Sequence, residues 1–188
     1  MIVFFKPFSN LILFSIVVPT FNRKLQLERA VKSVINQTYK NWELIIIDNN
    51  SIDGTEDLIK NINNSKIRYY KINNKGIIAK SRNLGIEKSN GEYVCFLDSD
   101  DWWYDNKLSK LYNNINGSDF LYHNMDVYKK GIKTQKKMRV RKLKNPVVQD
   151  LMINANAIIN SSVCIKTKIL KDVGMLDDSE DISSVEDY

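Results

Sequence analysis

Tyr93-Val94-Cys95-Phe96-Leu97-Asp98-Ser99-Asp100-Asp101 sets five apolar or aromatic residues directly against three carboxylates. An unbroken apolar run, with no polar alternation, is the pattern of a strand covered on both faces inside a parallel sheet. Ligands of open α/β sheets bind just beyond the carboxyl ends of such strands, so these acids stand where a ligand is met. Asp98 and Asp100, at i and i+2, can converge on one hard cation. Mg²⁺ or Mn²⁺ held by one or two carboxylates commonly completes its shell with substrate phosphates. Asp-Ser-Asp is also ordinary turn chemistry, so a plain capping turn is the alternative for this stretch alone.

Outward from this strand the chain alternates. Residues 14–18 read as a first core strand. Leu27, Ala30, Val31, Val34 and Ile35 then fall at helical spacing, with Asn22 placed to cap that helix. Residues 42–47 form a second apolar strand ending at Asp48, and Asp53-Gly54-Thr55 turns into a short helix carrying Leu58, Ile59 and Ile62. A third strand over 67–70 and a helix over 76–87 precede the acidic strand. A further helix with Leu108, Leu111, Tyr112 and Ile115 follows it. Strands separated by helices of this length predict right-handed βαβ units and a mostly parallel sheet flanked by helices. Beyond Asp119 the pattern loosens to a strand over 120–128, a basic stretch, a helix near 147–154 and a strand near 162–166.

Composition fits one globular domain: 188 residues, 43% hydrophobic and 27% charged, which excludes a disordered chain. Cys95 and Cys164 lie in apolar runs without a CxxC partner, and read as buried free thiols of a reducing compartment. Lys6, Pro7, Ser9 and Asn10 interrupt the apolar start well short of the ~18–20 residues that spanning requires. No small-residue cleavage pattern follows, so residues 1–13 read as an extension packed on the domain. His123, the sole histidine, sits in an apolar-aromatic run and reads as structural. Trp102 or Trp103 reads either as the floor of a sugar site or as a core anchor.

Charge is concentrated. Lys129, Lys130, Lys133, Lys136, Lys137, Arg139, Arg141, Lys142 and Lys144 share a window without an acid, and without them the net charge would fall from +6 to −3. A solvated hairpin or loop is the plain reading. The functional one is a platform for an anionic acceptor or an anionic membrane surface. Nucleic acid is a poorer fit, since no aromatics interleave the basic residues.

Four segments in order carry a resemblance: Ser15-Ile-Val-Val-Pro-Thr-Phe-Asn-Arg23, Glu43-Leu-Ile-Ile-Ile-Asp-Asn-Asn-Ser-Ile-Asp-Gly-Thr55, Ser81-Arg-Asn-Leu-Gly-Ile86 and Phe96-Leu-Asp-Ser-Asp-Asp101. Their order and spacing resemble the inverting family 2 glycosyltransferases of the GT-A fold, which use nucleotide-sugar donors and Mn²⁺ or Mg²⁺. Asn160-Ser-Ser-Val-Cys-Ile165, Val173-Gly-Met-Leu-Asp177 and Glu186-Asp187-Tyr188 are similar, more loosely, to that family's acceptor-side motifs. The resemblance implies a single domain, with a nucleotide-sugar half over 15–101 and an acceptor half over 102–188 that stops early. It implies that Pro19, Thr20 and Asn22 line the nucleotide pocket and that Asp48 accepts from the base, typically uracil. Arg82 would face the diphosphate. Asp98 would sit near ribose and metal, Asp100 would be the principal metal ligand, and Asp187 would be the general base. The expected partners are a UDP-sugar and a saccharide, lipid-linked or protein acceptor, met in the cytoplasm or at the cytoplasmic face of a membrane. A catalytically inactive nucleotide-sugar binder is the alternative. A sugar-nucleotide pyrophosphorylase is disfavoured, because residues 19–23 hold no glycine.

Overall fold

Strand β1 (Phe14–Thr20) is buried at all 7 of its positions. A strand with no solvent face needs a neighbour on each edge and a layer on each side. The computed structural model, which describes residues 11–156 and 158–179, supplies them. Strand β2 (Trp42–Asp48) pairs parallel along one edge and β4 (Tyr93–Phe96) parallel along the other. Strand β3 (Ile67–Lys71) lies beyond β2. On the far side of β4, β8 (Cys164–Lys166) runs antiparallel and carries β5 (Phe120–Leu121) on its outer edge. The order β3-β2-β1-β4-β8-β5 is the mostly parallel sheet that the sequence predicts. The chain winds outward from β1 to β3 and then returns to the other side of β1 for β4. The gap between β1 and β4 is therefore a topological switch point.

Alternation along the strands divides the core in two. Phe14, Ile16 and Val18, with Tyr93, Cys95 and Leu97, pack with Leu27 and Val31 of α1 (Lys24–Ile35), Ile59 of α2 (Thr55–Ile62) and Leu108 of α4 (Lys107–Asn114). Val17, Val94 and Phe96 pack instead with Ile86 of α3 (Ile78–Glu87) and Leu170 of α6 (Thr167–Asp172). The free thiols of Cys95 and Cys164 are buried and are register partners across β4 and β8.

Several expectations are corrected. Asn22 does not cap α1; its left-handed backbone, φ 48°, turns its side chain across to the Ile52 N–H at 2.9 Å. The first helical N–H, of Lys24, is instead taken by Asp53 of the next loop at 2.8 Å. The strand expected over 120–128 is broken. Its start, β5, pairs with β8, whereas its end, β6 (Met125–Lys129), pairs only with β7 (Ile132–Met138) in a separate hairpin. Between them the ring of His123 bonds its own neighbour, Nδ1 to the Asn124 carbonyl at 2.8 Å, and burial lowers its pKa to about 4. Part of the basic window is thus the second strand of a hairpin, in keeping with the plain reading of that stretch, and it leads into α5 (Val147–Asn154). At the chain start, Asn41 and Tyr39 hold the Leu11 and Ile12 carbonyls at 2.8 and 2.6 Å. The rest of the expected extension, residues 1–10, lies outside the described residues.

Helix α3 lies close against the sheet. A Cβ at Gly85 would stand 2.2 Å from Val17 Cγ1, so only glycine permits this approach. Replacing a helical glycine by alanine ordinarily gains ~0.5–1 kcal/mol. Here Gly85→Ala should destabilise instead, because overpacking a filled core costs about 1–3 kcal/mol. For a chain of this size that is a fall in Tm of roughly 2–10 °C, readable by calorimetry, and a rise would show that α3 can lift from β1 without cost.

Candidate functional site

Strands β1, β2, β3 and β4 deliver their carboxyl ends to one edge of the sheet, where side chains stitch the departing loops together. The Asn22 N–H donates to Ser51 Oγ at 2.8 Å. The Asn49 N–H donates to the Thr20 carbonyl at 2.9 Å, and Asn49 Oδ1 accepts the Asn74 N–H at 2.9 Å. Asn74 in turn donates to Ser81 Oγ of α3 at 2.9 Å. Asparagine suits this work because it tolerates the left-handed region, as at Asn22 and Asn50, and offers both donor and acceptor.

A cavity of about 670 Å³ opens at the switch point between β1 and β4. Pro19 and Thr20 form one wall, Arg82 of α3 another, and Asp98, Ser99 and Asp100 a third. Thr20 is 5% exposed and Arg82 6%. Among the described residues, neither Thr20 Oγ1 nor Arg82 Nε has a hydrogen-bond partner. A buried polar atom without a partner costs about 1–3 kcal/mol, so two beside one cavity point to a polar ligand. The cavity's charges are paired across it: Arg82 Nη2 lies 3.1 Å from Asp98 Oδ1, and Arg23 pairs with Asp100.

The acidic loop is held from behind by Ser161, in a 3₁₀ turn (Asn160–Ser162) before β8. The Asp98 N–H donates to Ser161 Oγ at 3.0 Å. The Ser161 carbonyl accepts from Trp103 Nε1 at 3.0 Å and from Lys107 Nζ at 2.7 Å. Lys107 is buried, with its ammonium 3.7 Å from the centre of the Trp103 ring, and burial lowers its pKa to about 8. Trp103 is therefore the core anchor. Trp102 lies outside the core, beneath the Arg29 guanidinium at 3.9 Å and edge-on to Tyr128. Burial pushes the Asp101 carboxyl upward in pKa, opposed by a hydrogen bond from Ser161 and reinforced by the charges of Asp98 and Asp100.

Of the residues singled out from the sequence, Pro19, Thr20, Arg82, Asp98 and Asp100 come together in the cavity wall. Asn22 and Asp48 stand beside it. Asp48 is fully buried and accepts from the Ser51 N–H at 3.1 Å, the Ser51 hydroxyl and the Tyr69 hydroxyl, which is the chemistry of a turn residue. Asp187 lies outside the described residues. Arg23 and Ser161 lie within recognisable motifs, but their sequence context assigns them no role. Ser161 acts through its position behind Asp98, which no local pattern encodes. Among the described residues the cavity wall holds no His or Cys, and its two carboxylates form an all-oxygen donor pair suited to Mg²⁺ or Mn²⁺. Among the described residues no three metal-ligating side chains gather, so a bound ion would need further ligands from elsewhere, as Mg²⁺ commonly takes them from phosphates.

The family model "Glycosyl transferase family 2" matches residues 15–174. A Campylobacter jejuni GalNAc(5)-diNAcBac-PP-undecaprenol beta-1,3-glucosyltransferase is 37% identical over 121 residues, which are 62% of this chain and 39% of that protein. An Escherichia coli UDP-Glc:alpha-D-GlcNAc-diphosphoundecaprenol beta-1,3-glucosyltransferase is 34% identical over 120 residues, 61% of this chain and 46% of that one. The chain thus spans under half the length of these relatives. Among solved structures, S. aureus TarS 1-349 in complex with UDP superposes with a TM-score of 0.74 at 23% identity, over 93% of this chain and 52% of that one. That likeness shows the fold.

The buried ammonium yields a pH test. Lys107 has a folded pKa of about 8 against 10.5 for an ordinary lysine, so between these values the unfolded chain binds its proton more tightly. Stability from this group therefore rises with pH through that window. Wild type should gain about 2–3 kcal/mol on Lys107→Met between slightly alkaline and strongly alkaline buffer, at 1.36 kcal/mol per pKa unit. Urea unfolding of both proteins across that range checks it, and parallel curves would refute the depressed pKa.

Proposed function

The chain belongs to glycosyl transferase family 2, and from that premise we propose that it moves a sugar from a UDP-sugar to an acceptor hydroxyl on a lipid-linked saccharide. The observation that carries the reading is the cavity at the β1–β4 switch point, where two unpartnered polar atoms face two carboxylates. Its volume of about 670 Å³ is in the range of ligand sites. The relatives' names supply the donor and acceptor classes, UDP-glucose and diphosphoundecaprenol-linked sugars.

Each residue then has a task. Thr20 Oγ1 bonds the nucleoside, and the loop from Asp48 to Ser51 borders the base. A base N–H reaching Asp48 would share or displace the Tyr69 hydroxyl now on that carboxylate. Asp98 and Asp100 would hold Mn²⁺ or Mg²⁺, which supplies positive charge against the diphosphate leaving group. Arg82 and Arg23, released from those carboxylates, would turn their planar forks to phosphate oxygens. Asp187 takes the proton of the acceptor hydroxyl as that oxygen attacks the anomeric carbon, and the sugar–phosphate bond breaks with inversion. The Asp187 role rests on the family resemblance of Glu186-Asp187-Tyr188 alone. Among the described residues no helix is long and apolar enough to cross a membrane. The basic window offers an anionic lipid-linked acceptor a complementary surface.

UDP should bind far more tightly with Mn²⁺ or Mg²⁺ than with EDTA, and Asp100→Ala should erase the difference without unfolding the chain, because this side chain is half exposed. Calorimetry that finds metal-dependent UDP binding undiminished in Asp100→Ala would defeat the metal assignment.

Asp187→Asn keeps the shape but cannot accept the proton, so transfer should fall roughly 10²–10⁴-fold with UDP affinity nearly intact. An α-linked donor should give a β-linked product. Full turnover in that variant, or retention of the α-configuration by proton NMR, would overturn the single displacement.

A further inference from the structure

Helix α5 is built inside out. Its one buried residue is the carboxylate Asp150, whereas Val148, Met152 and Ile153 stand 71%, 82% and 72% exposed. Asp150 is fixed by the Arg141 guanidinium, by the Lys144 N–H at 3.1 Å and by Asn154 Nδ2 at 3.0 Å. Arg141 also donates to the Ala155 carbonyl, at 3.1 Å, beyond the far end of the helix. Charge and hydrogen bonds therefore tie α5 to the segment that precedes it, and its apolar side chains are turned outward. Grouped apolar exposure of this kind marks a surface that meets something apolar.

The adjoining charge says what. The window 129–144 leads directly into α5 and is bound to it through Arg141 and Lys144. Of its nine cations only Lys133 and Arg141 find a carboxylate among the described residues, so seven carry no ion pair there. A soluble polyanion would satisfy the cations but leave Val148, Met152 and Ile153 in water. An apolar protein partner would cover those three and leave the cations unanswered. An anionic bilayer satisfies both, with negative charge at its surface and an apolar boundary just beneath. The location fits as well: Met138 at the end of β7 and Asn156, Ile158 and Ile159 just past α5 line the cavity.

Resting on the reading of a lipid-linked acceptor, we propose that α5 and the basic window form a bilayer-docking face. It seats Val148, Met152 and Ile153 at the headgroup boundary of an anionic membrane, with the cavity beside the lipid surface. The lysines draw the chain to the membrane, and the helix holds it there when salt screens them.

The test is co-sedimentation of the 188-residue chain with vesicles of phosphatidylcholine alone or mixed with phosphatidylglycerol. Wild type should bind the mixed vesicles and not the neutral ones. The triple variant Val148→Ser, Met152→Gln, Ile153→Ser should bind about tenfold more weakly, with its residual binding abolished by salt. Reversing Lys136, Lys137, Lys142 and Lys144 to Glu should cost roughly a hundredfold or more at low ionic strength. All three proteins should melt alike, since the altered side chains make no core contact. Wild-type affinity in the triple variant would overturn the docking face, as would a wild-type dimer that the triple variant dissolves without any vesicle binding. UDP calorimetry separates the two readings. Vesicle binding without UDP affinity would sink the donor assignment alone, and UDP affinity without vesicle binding would sink the docking face alone.

Discussion

Strand β1 has neither an edge nor a face free, and that constraint arranges the rest. Every residue from Phe14 to Thr20 is buried, so its polar backbone is consumed by β2 and β4 and its side chains by two helical layers. At its carboxyl end the chain emerges toward water, and parallel pairing brings the ends of β2 and β4 to the same edge. The approach of α3, permitted by the missing side chain at Gly85, then brings Arg82 one turn away to the same place. The site is thus a consequence of how a fully buried strand must be covered. It needs no device of its own.

What the site does contain is local conflict. Arg82 is almost wholly buried and has one carboxylate, Asp98, for its charge, with its Nε left over. Thr20 could have been valine at no loss to the sheet, since its hydroxyl bonds nothing among the described residues. Isolated polar groups of this kind weaken a fold by about 1–3 kcal/mol each. Four buried side-chain atoms lack a partner among the described residues; those of Trp42 and His123 lie elsewhere, but Thr20 and Arg82 share one cavity. Two such exceptions beside a single opening are where function is expected.

Strands buried on both faces were legible because they leave an unbroken apolar run, as in Tyr93 to Leu97, and the acids following that run stood out at once. The helices over 24–35 and 107–114 were legible from their spacing. What escaped was whatever depends on a partner distant in sequence. Asn22 looks like a cap, but its side chain is claimed by the Ile52 N–H, 30 residues away. Residues 120–128 look like one strand, yet β8 captures the first part and β7 the last, and neither choice is visible locally. Asp48 reads as a ligand residue, and nothing in the sequence shows that Ser51 and Tyr69 also donate to its oxygens. Helix α5 was legible as a helix, but not that its one buried residue is Asp150, held by Arg141 of the segment before it.

Ser161 shows how the far half of the chain governs the acidic loop. Asp98, Asp100 and Asp101 repel one another, and burial adds to the cost of ionising Asp101. The protein answers with cations from three directions: Arg23 just before α1 and Arg29 within it, Arg82 from α3 and Lys107 from α4. Arg29 reaches the Asp100 carbonyl rather than its carboxylate, so it fixes the loop while leaving the side chain available. Lys107 acts from the core side, bound to the same Ser161 whose hydroxyl holds the Asp98 N–H. With the acids already balanced by arginines, a charged ligand cannot simply add attraction. It must exchange partners, taking carboxylates or guanidinium groups from each other, and its affinity is the difference between the new pairs and the old. A ligand carrying both signs, cation and polyanion together, satisfies both halves of that exchange at once, whereas either ion alone leaves the opposite half without its partner.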